Sequence, residues 1–310
     1  MRAKYTNLDG TTPDKGPLDM LKWQVGDRLL GKRRKAGAPF ATPVRPNDGA
    51  QVREEGSSLT WVGHATFAMR LGGKLVLTDP VLGDRIQGVV KRLSPPGLRL
   101  ADVGKVDVVT VSHDHFDHLD LPSLRRIGPH ATYVVPMGCG KLLRDAGLPK
   151  VVELDRWEQA DVEGLRIRLV PAQHWCMRAP WDRNQRLWGG FVYEGPEGKA
   201  YHAGDTAFAE DVFAAIGQRE PGIDWAMMPI GAYDPEWFMR PQHIGPEDAV
   251  RAHALLGANR FVAMHWGTFR LTDEPIGEPP VRARAAWQEQ NLDDERLWIV
   301  DVGETRALAR

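Results

Sequence analysis

Hydrophobic positions are unevenly spread along the chain. Residues 1 to about 55 hold one apolar segment, LDMLKWQVGDRLL (Leu18 to Leu30), inside a stretch otherwise rich in Gly, Pro and charge. Leu18, Leu21, Leu29 and Trp23 fall near one side at helical spacing, which predicts an irregular arm carrying one amphipathic helix docked on its own domain. From residue 56 the texture changes to short apolar runs closed by polar or turn residues: LTWVGHATFAMRL, KLVLTDP, VDVVTVSH, ATYVVP, LRIRLVPAQH, GGFVYEG, KAYHAGDT, IDWAMMPIG and RFVAMHWG. Runs of this kind predict strands. Helix-like segments lie between several of them: LPSLRRIG, CGKLLRDAG and GPEDAVRAHALLGA, the last with Pro246 in its first turn, acids behind it and Gly257 near its stop. The fold class is therefore mixed α/β, organised as an arm over 1–55 and a single larger domain over 56–310. No internal repeat or low-complexity linker divides the second part.

Composition narrows the function classes. At 310 residues and 42% hydrophobic the chain can bury a substantial core, and a formal net charge of -1 supplies no field to hold polyanions. The one basic block is GKRRK, Gly31 to Lys35, so nucleic acid is not an expected partner. Cys139 and Cys176 form no C-x-x-C pair, which points away from a disulfide framework and from a thiolate zinc site and fits a reducing compartment. The N-terminus lacks the apolar core of a signal peptide and no run of about 18 apolar residues occurs. A cytoplasmic protein is expected, with the Leu18–Leu30 segment the place for any peripheral membrane contact.

The chemistry concentrates in VSHDHFDHLD, Val111 to Asp120, directly behind an apolar run. Curled as a loop, this spacing can aim His113 and His115 at one ion and Asp117 with His118 at a second. His174, Asp205 and His265 each follow the carboxyl end of another predicted strand, where ligand sites of α/β sheets gather. His174 can complete the first site and His265 the second, with Asp205 bridging. Nitrogen and oxygen donors suit Zn²⁺, or Fe or Mn, and a cysteine-free set with an open position differs from a closed structural zinc site. Two cations close together make hydroxide available from a bridging water, so hydrolysis is the natural reaction. Asp79 and Asp120 are the candidate outer carboxylates that fix imidazole tautomers. Tyr233, Trp181 and Arg183 are candidates for contact with substrate. His64, His130, His202 and His253 are read as core or surface histidines, and Cys176 as a buried thiol.

The H-x-H-x-D-H pattern followed by separate His, Asp and His resembles the metallo-β-lactamase superfamily. WVGHATF, LTDP, SHDHFDHLD, PAQHW, WDRNQRLWGGFV, GDT, PIGAYDPEWFMRPQHIGPEDAV and HWGTFRLTDEP are similar to the N-acylphosphatidylethanolamine-hydrolysing phospholipase D family and its bacterial relatives, over about Trp61 to Pro280. The resemblance implies an αββα sandwich of two mixed sheets flanked by helices. It implies two Zn²⁺, one on His113, His115 and His174, the other on Asp117, His118 and His265, bridged by Asp205. It further implies that Gln242 and His243 face the substrate phosphate, that Asp117 and His243 are catalytic, with His243 steering or protonating the leaving oxygen, and that the protein is a homodimer. The expected activity is a dinuclear phosphodiesterase of phospholipase D type acting on N-acyl phosphatidylethanolamine or a related phosphodiester through a metal-bridging hydroxide. A lactonase or amide hydrolase of the same fold and a non-catalytic metal-binding protein are the alternatives.

Overall fold

The computed structural model describes residues 5–13, 15–34, 37–54 and 56–308. Residues 1–4, 14, 35, 36 and 55 of the expected arm lie outside these, as do 309 and 310, so Lys35 of the basic block is not among the described residues. Strands β1 (Ser58–Gly63), β2 (Thr66–Leu71) and β3 (Lys74–Thr78) form an antiparallel meander. A small hairpin follows, β4 (Arg85–Ile86) with β5 (Val90–Lys91), and then β6 (Val108–Thr110), β7 (Thr132–Pro136) and β8 (Val151–Leu154) extend the meander in parallel. The second sheet starts antiparallel with β9 (Gln159–Val162), β10 (Leu165–Val170), β11 (Gly190–Gly195) and β12 (Gly198–His202). It continues in parallel through β13 (Trp225–Pro229), β14 (Arg260–Met264) and β15 (Leu297–Trp298). Finally β16 (Thr305–Ala307) returns to pair with β1, giving two seven-stranded mixed sheets.

Strand periodicity explains the layering. Val76, Val108 and Val134 point into the core between the sheets, beside Phe67, Ile167 and Phe191. Their neighbours Leu75, Leu77, Val109, Tyr133 and Val135 point the other way, onto Leu124 and Ile127 of the helix Leu121–Ile127 and Leu143 of the helix Gly140–Asp145. Both faces are buried, so these strands read as unbroken apolar runs instead of alternating ones. Beyond the second sheet, the helix Pro246–Leu256 packs on β13 and lies between the helices Glu210–Arg219 and Glu278–Glu289. The result is the expected αββα sandwich. LTWVGHATFAMRL, a single run in the sequence, is two strands reversing at Gly63-His64-Ala65, where Gly63 (φ 118°) and His64 (φ 56°) are left-handed.

The Leu18–Leu30 segment forms the helix Pro17–Leu21 running into a π-helical turn, Lys22–Asp27. It docks on its own domain as expected, but through Trp23 alone of the four residues and not through the leucines. Leu18 and Leu29 are each 81% exposed and Leu21 57%, while Trp23 on the other side is buried against Phe238 and Met239. The indole N–H of Trp23 donates to Asp273 Oδ2 at 2.7 Å and its ring lies 5.1 Å from that of Phe238. That one anchor sets the roll of the helix and turns the leucine stripe outward. Among the described residues no helix is long and apolar enough to cross a membrane.

Candidate metal centre

Each candidate ligand sits in a loop just past a strand: His113, His115, Asp117 and His118 after β6, His174 after β10, Asp205 after β12 and His265 after β14. All seven meet at one rim. His115 Nδ1 lies 2.9 Å from His113 Nε2 and 3.3 Å from His174 Nε2. His118 Nε2 lies 3.7 Å from Asp117 Oδ2. Between the two groups Asp205 presents Oδ2 to His118 Nε2 at 3.2 Å and to His113 and His174 Nε2 at 3.9 Å each, and Oδ1 to His265 Nε2 at 3.1 Å. Asp205 Oδ2 thus faces members of both halves of the cluster, and Oδ1 faces His265.

The donor set fits a pair of cations. His115 Nε2, His118 Nε2, Asp205 Oδ1 and both ring nitrogens of His265 are buried without a well-aligned hydrogen bond, and their concentration at one point fits a ligand between them. His113, His115 and His174 converge within 4.8 Å of one another, as do His64, Asp117, His118 and His265, and also His113, His118 and Asp205. The atoms are imidazole nitrogen and carboxylate oxygen with no sulfur, the chemistry of Zn²⁺, Fe or Mn sites.

Outer partners orient the rings. Asp79 Oδ2 accepts from His118 Nδ1–H at 2.7 Å while the same carboxylate takes the Ser112 N–H and O–H at 2.7 and 2.6 Å. His174 Nδ1–H donates to the Gln242 carbonyl at 2.7 Å, and Ser112 Oγ meets His113 Nδ1 at 3.0 Å. Asp79 therefore plays the expected orienting part. Asp120 does not: its Oδ2 accepts from the Ser123 N–H and O–H, capping the helix that follows the ligand loop. From the far end of the chain, Asn7 Oδ1 accepts the His174 N–H and the Trp188 indole N–H, both at 3.0 Å.

Charge is partitioned within the cluster. Burial pushes His115 down to about 4 and His174 to about 3, and with the neighbouring imidazoles it holds His113 well below the usual range, so these rings are neutral donors near pH 7. Burial also works against charge on His118, yet Asp205, Asp117 and Asp79 together hold it well above the usual range. Burial raises Asp205, and His118 with His265 more than offsets this, keeping that carboxyl ionised. A cation at this position would take over the countercharge that His118 supplies, releasing its proton.

The residues expected to meet substrate divide. His243 lies at the rim, its Nδ1 3.8 Å from Asp205 Oδ2, and opens on a hollow of about 670 Å³ also lined by Tyr233, Phe208 and Arg251. Tyr233 is nevertheless 8% exposed and its O–H donates to Glu278. Gln242 is buried, its side chain donating weakly to Met239 Sδ while its carbonyl serves His174. Trp181 is 85% exposed, and Arg183 donates to the Lys15 and Pro13 carbonyls and covers the Trp175 ring, fastening the arm. It is Trp175 that walls the cluster, its ring 4.7 Å from that of His115. Cys176 is a buried thiol held by the Arg186 carbonyl. His202 bonds the Ala65 carbonyl, His253 packs on Phe261 and Trp287, and His130 is exposed, so those three are core or surface residues. His64 is not: its Nε2 meets Asp117 Oδ2 at 3.1 Å inside the cluster, and reading it as an ordinary core histidine is corrected.

Residues 74–266 match the model of the beta-lactamase superfamily domain. The chain is 38% identical over 304 residues to an uncharacterized protein of Mycobacterium tuberculosis, covering 93% of this chain and 79% of that one. It is 36% identical over 269 residues to the N-acyl-phosphatidylethanolamine-hydrolyzing phospholipase D 1 of Caenorhabditis elegans, covering 81% and 76%. Among solved structures, the metallo hydrolase Igni18 of Ignicoccus hospitalis superposes with a TM-score of 0.61 at 24% identity, over 81% of this chain and 97% of that one. With seven nitrogen and oxygen donors gathered at the strand ends of that sandwich, the chain belongs to the beta-lactamase superfamily, as a metal-dependent hydrolase related to the N-acyl-phosphatidylethanolamine-hydrolyzing phospholipases D.

Proposed function

We propose that the protein is a phosphodiesterase of phospholipase D type, acting on an N-acylated phosphoethanolamine lipid or a related phosphodiester. The observation that carries this reading is the two-sided presentation of Asp205, Oδ2 toward His113, His118 and His174 and Oδ1 toward His265, beside a rim histidine, His243, that opens on the hollow. The relationship to the C. elegans phospholipase supports phosphorus over a carbonyl centre as the point of attack. Two Zn²⁺ held by His113, His115 and His174 and by Asp117, His118 and His265 would acidify water and polarise a phosphoryl oxygen. The chain's own groups do the rest. Trp175 and Phe269 exclude bulk water from the two flanks, at His115 and at His64. His243, pushed down to about 3 mainly by burial, is a neutral imidazole whose N–H can donate to a phosphoryl oxygen as charge develops there. Water gives its oxygen to phosphorus and releases a proton, the P–O bond to the distal alcohol breaks, and the departing oxygen takes up a proton, leaving a phosphomonoester and a free alcohol.

The exposed stripe of Leu18, Leu21, Val25 and Leu29, flanked by Lys22 and Arg28, supports delivery of the substrate from a lipid surface. The test is a panel of phosphodiesters, lactones and β-lactams offered to Zn²⁺-loaded protein, alongside the Asp205→Ala variant. Phosphodiester hydrolysis that vanishes in the variant is the expected outcome. Preferential turnover of a lactone, or full activity of a folded Asp205→Ala protein, overturns the reading.

A further inference from the structure

His64 stands out among the buried side chains that the proposed chemistry leaves unused. It is 2% exposed, and its ring is bound into the half of the cluster formed by Asp117, His118 and His265. We infer that His64 is the positioning residue of the second cation site, fixing both Asp117 and His265 from behind. Its Nε2 lies 3.1 Å from Asp117 Oδ2. A carboxylate oxygen has two lone-pair directions, so an N–H donated by His64 to one of them locks the carboxylate's rotation and leaves the other free to face a cation. The ring also lies 4.1 Å from that of His265 and edge-on to Phe269 at 5.4 Å.

The main chain of His64 carries the second half of this role. Its carbonyl accepts the His265 N–H at 3.0 Å and the Trp61 indole N–H at 3.0 Å, and its own N–H donates to Thr268 Oγ1 at 2.7 Å. His64 and His265 are both left-handed, with φ of 56° and 62°, a conformation that non-glycine residues hold only where their surroundings over-determine it. The two strained histidines are hydrogen-bonded directly to each other, so the β1–β2 turn and the β14 loop fix one another's geometry. His202 shows the contrast of a buried histidine with a purely structural part, its Nε2 spent on the Ala65 carbonyl. His64 spends its Nε2 on a ligand carboxylate.

Two variants separate positioning from packing. In His64→Gln the amide nitrogen stands as many bonds from the main chain as Nε2 and keeps the donor to Asp117. In His64→Asn the side chain stops short of Asp117, while asparagine tolerates the left-handed backbone. Chelator-treated proteins are titrated with Zn²⁺ by calorimetry, and bound metal is counted after gel filtration. The expected result is that His64→Asn keeps its first ion at wild-type affinity and binds the second about 10–100-fold more weakly, whereas His64→Gln restores most of the second affinity. Two ions bound with wild-type affinity by His64→Asn overturn the inference. So does an equal loss at both sites in both variants, the signature of general destabilisation. Because the readout is metal, its failure is distinct from failure of the phosphodiester reading.

Discussion

Replacing Asp79 by Asn is the sharpest test of how the centre is built. The change is isosteric at a site 1% exposed, so it leaves packing intact and alters only charge and hydrogen-bonding capacity. Asp79 accepts three donors, the Ser112 N–H at Oδ1 and the Ser112 O–H and His118 Nδ1–H at Oδ2. Whichever way the amide turns, its NH₂ confronts at least one of them, and a buried unpaired donor costs about 1–3 kcal/mol. At roughly 2–4 °C per kcal/mol for a domain of this size, the chelated variant should melt several degrees lower. The larger effect falls on metal. Loss of the carboxylate behind a ligating imidazole weakens binding by about 10–100-fold, on the order of 1.4–2.7 kcal/mol, and the site that uses His118 should feel it most, with a smaller effect reaching His113 through Ser112. Zn²⁺ titration measures the affinities, calorimetric melting of chelated protein the stability, and release of nitrophenolate from a bis-nitrophenyl phosphate the turnover. An Asp79→Asn protein that binds two ions as tightly as wild type would falsify the view that this carboxylate orients His118.

Other expectations follow from the same geometry. Asp205→Asn removes the charge shared by both halves, so the variant should lose the second ion and turnover together; elemental analysis showing two retained ions would count against a bridging role. Chelated protein should lose stability as pH falls from about 6.5 toward 4, because unfolded imidazoles protonate near 6.5 while His115 and His174 resist to about 4 and 3. His118 has the opposite sign: its contribution is complete below 6.5 and is lost only as pH rises toward its raised value, so it adds no slope in this window; a melting temperature flat across the window would contradict the scheme. Leu18→Asp with Leu29→Asp should weaken co-sedimentation with phospholipid vesicles while hydrolysis of a soluble diester is unchanged, and unaltered co-sedimentation would remove the helix from any lipid role.

The cluster was legible because four separate strands deliver its members to one rim, and strand ends are visible as breaks in apolar runs. His64 was not, for the opposite reason. It sits in the middle of a run that looks like one strand, and its partner Asp117 lies 53 residues away. Amphipathicity showed that the Leu18–Leu30 segment has two faces, but only the Asp273 carboxylate that receives the Trp23 indole decides which one packs. The helix Glu278–Glu289 was missed because it buries little beyond Ala283, Ala286 and Trp287, and its charged residues are spent sideways, Glu278 on Arg34 and Arg282 on Glu247. Strands β9 and β16 are short, partly exposed edges whose sequence carries no apolar run to see.

The arm has a consequence for how the molecule is assembled. Asn7 closes on His174 and Trp188, Trp23 on Asp273, and Arg34 on Glu278, spans of 167 to 250 residues. During synthesis the arm is made well before these partners and waits for them. Contacts of such sequence separation are slow to form, so the arm closes on the loop around His174 late in folding. Latching of the arm onto the loop that carries His174 is then a late step of folding, and the geometry of that loop is completed only after the strands on either side of it are in place.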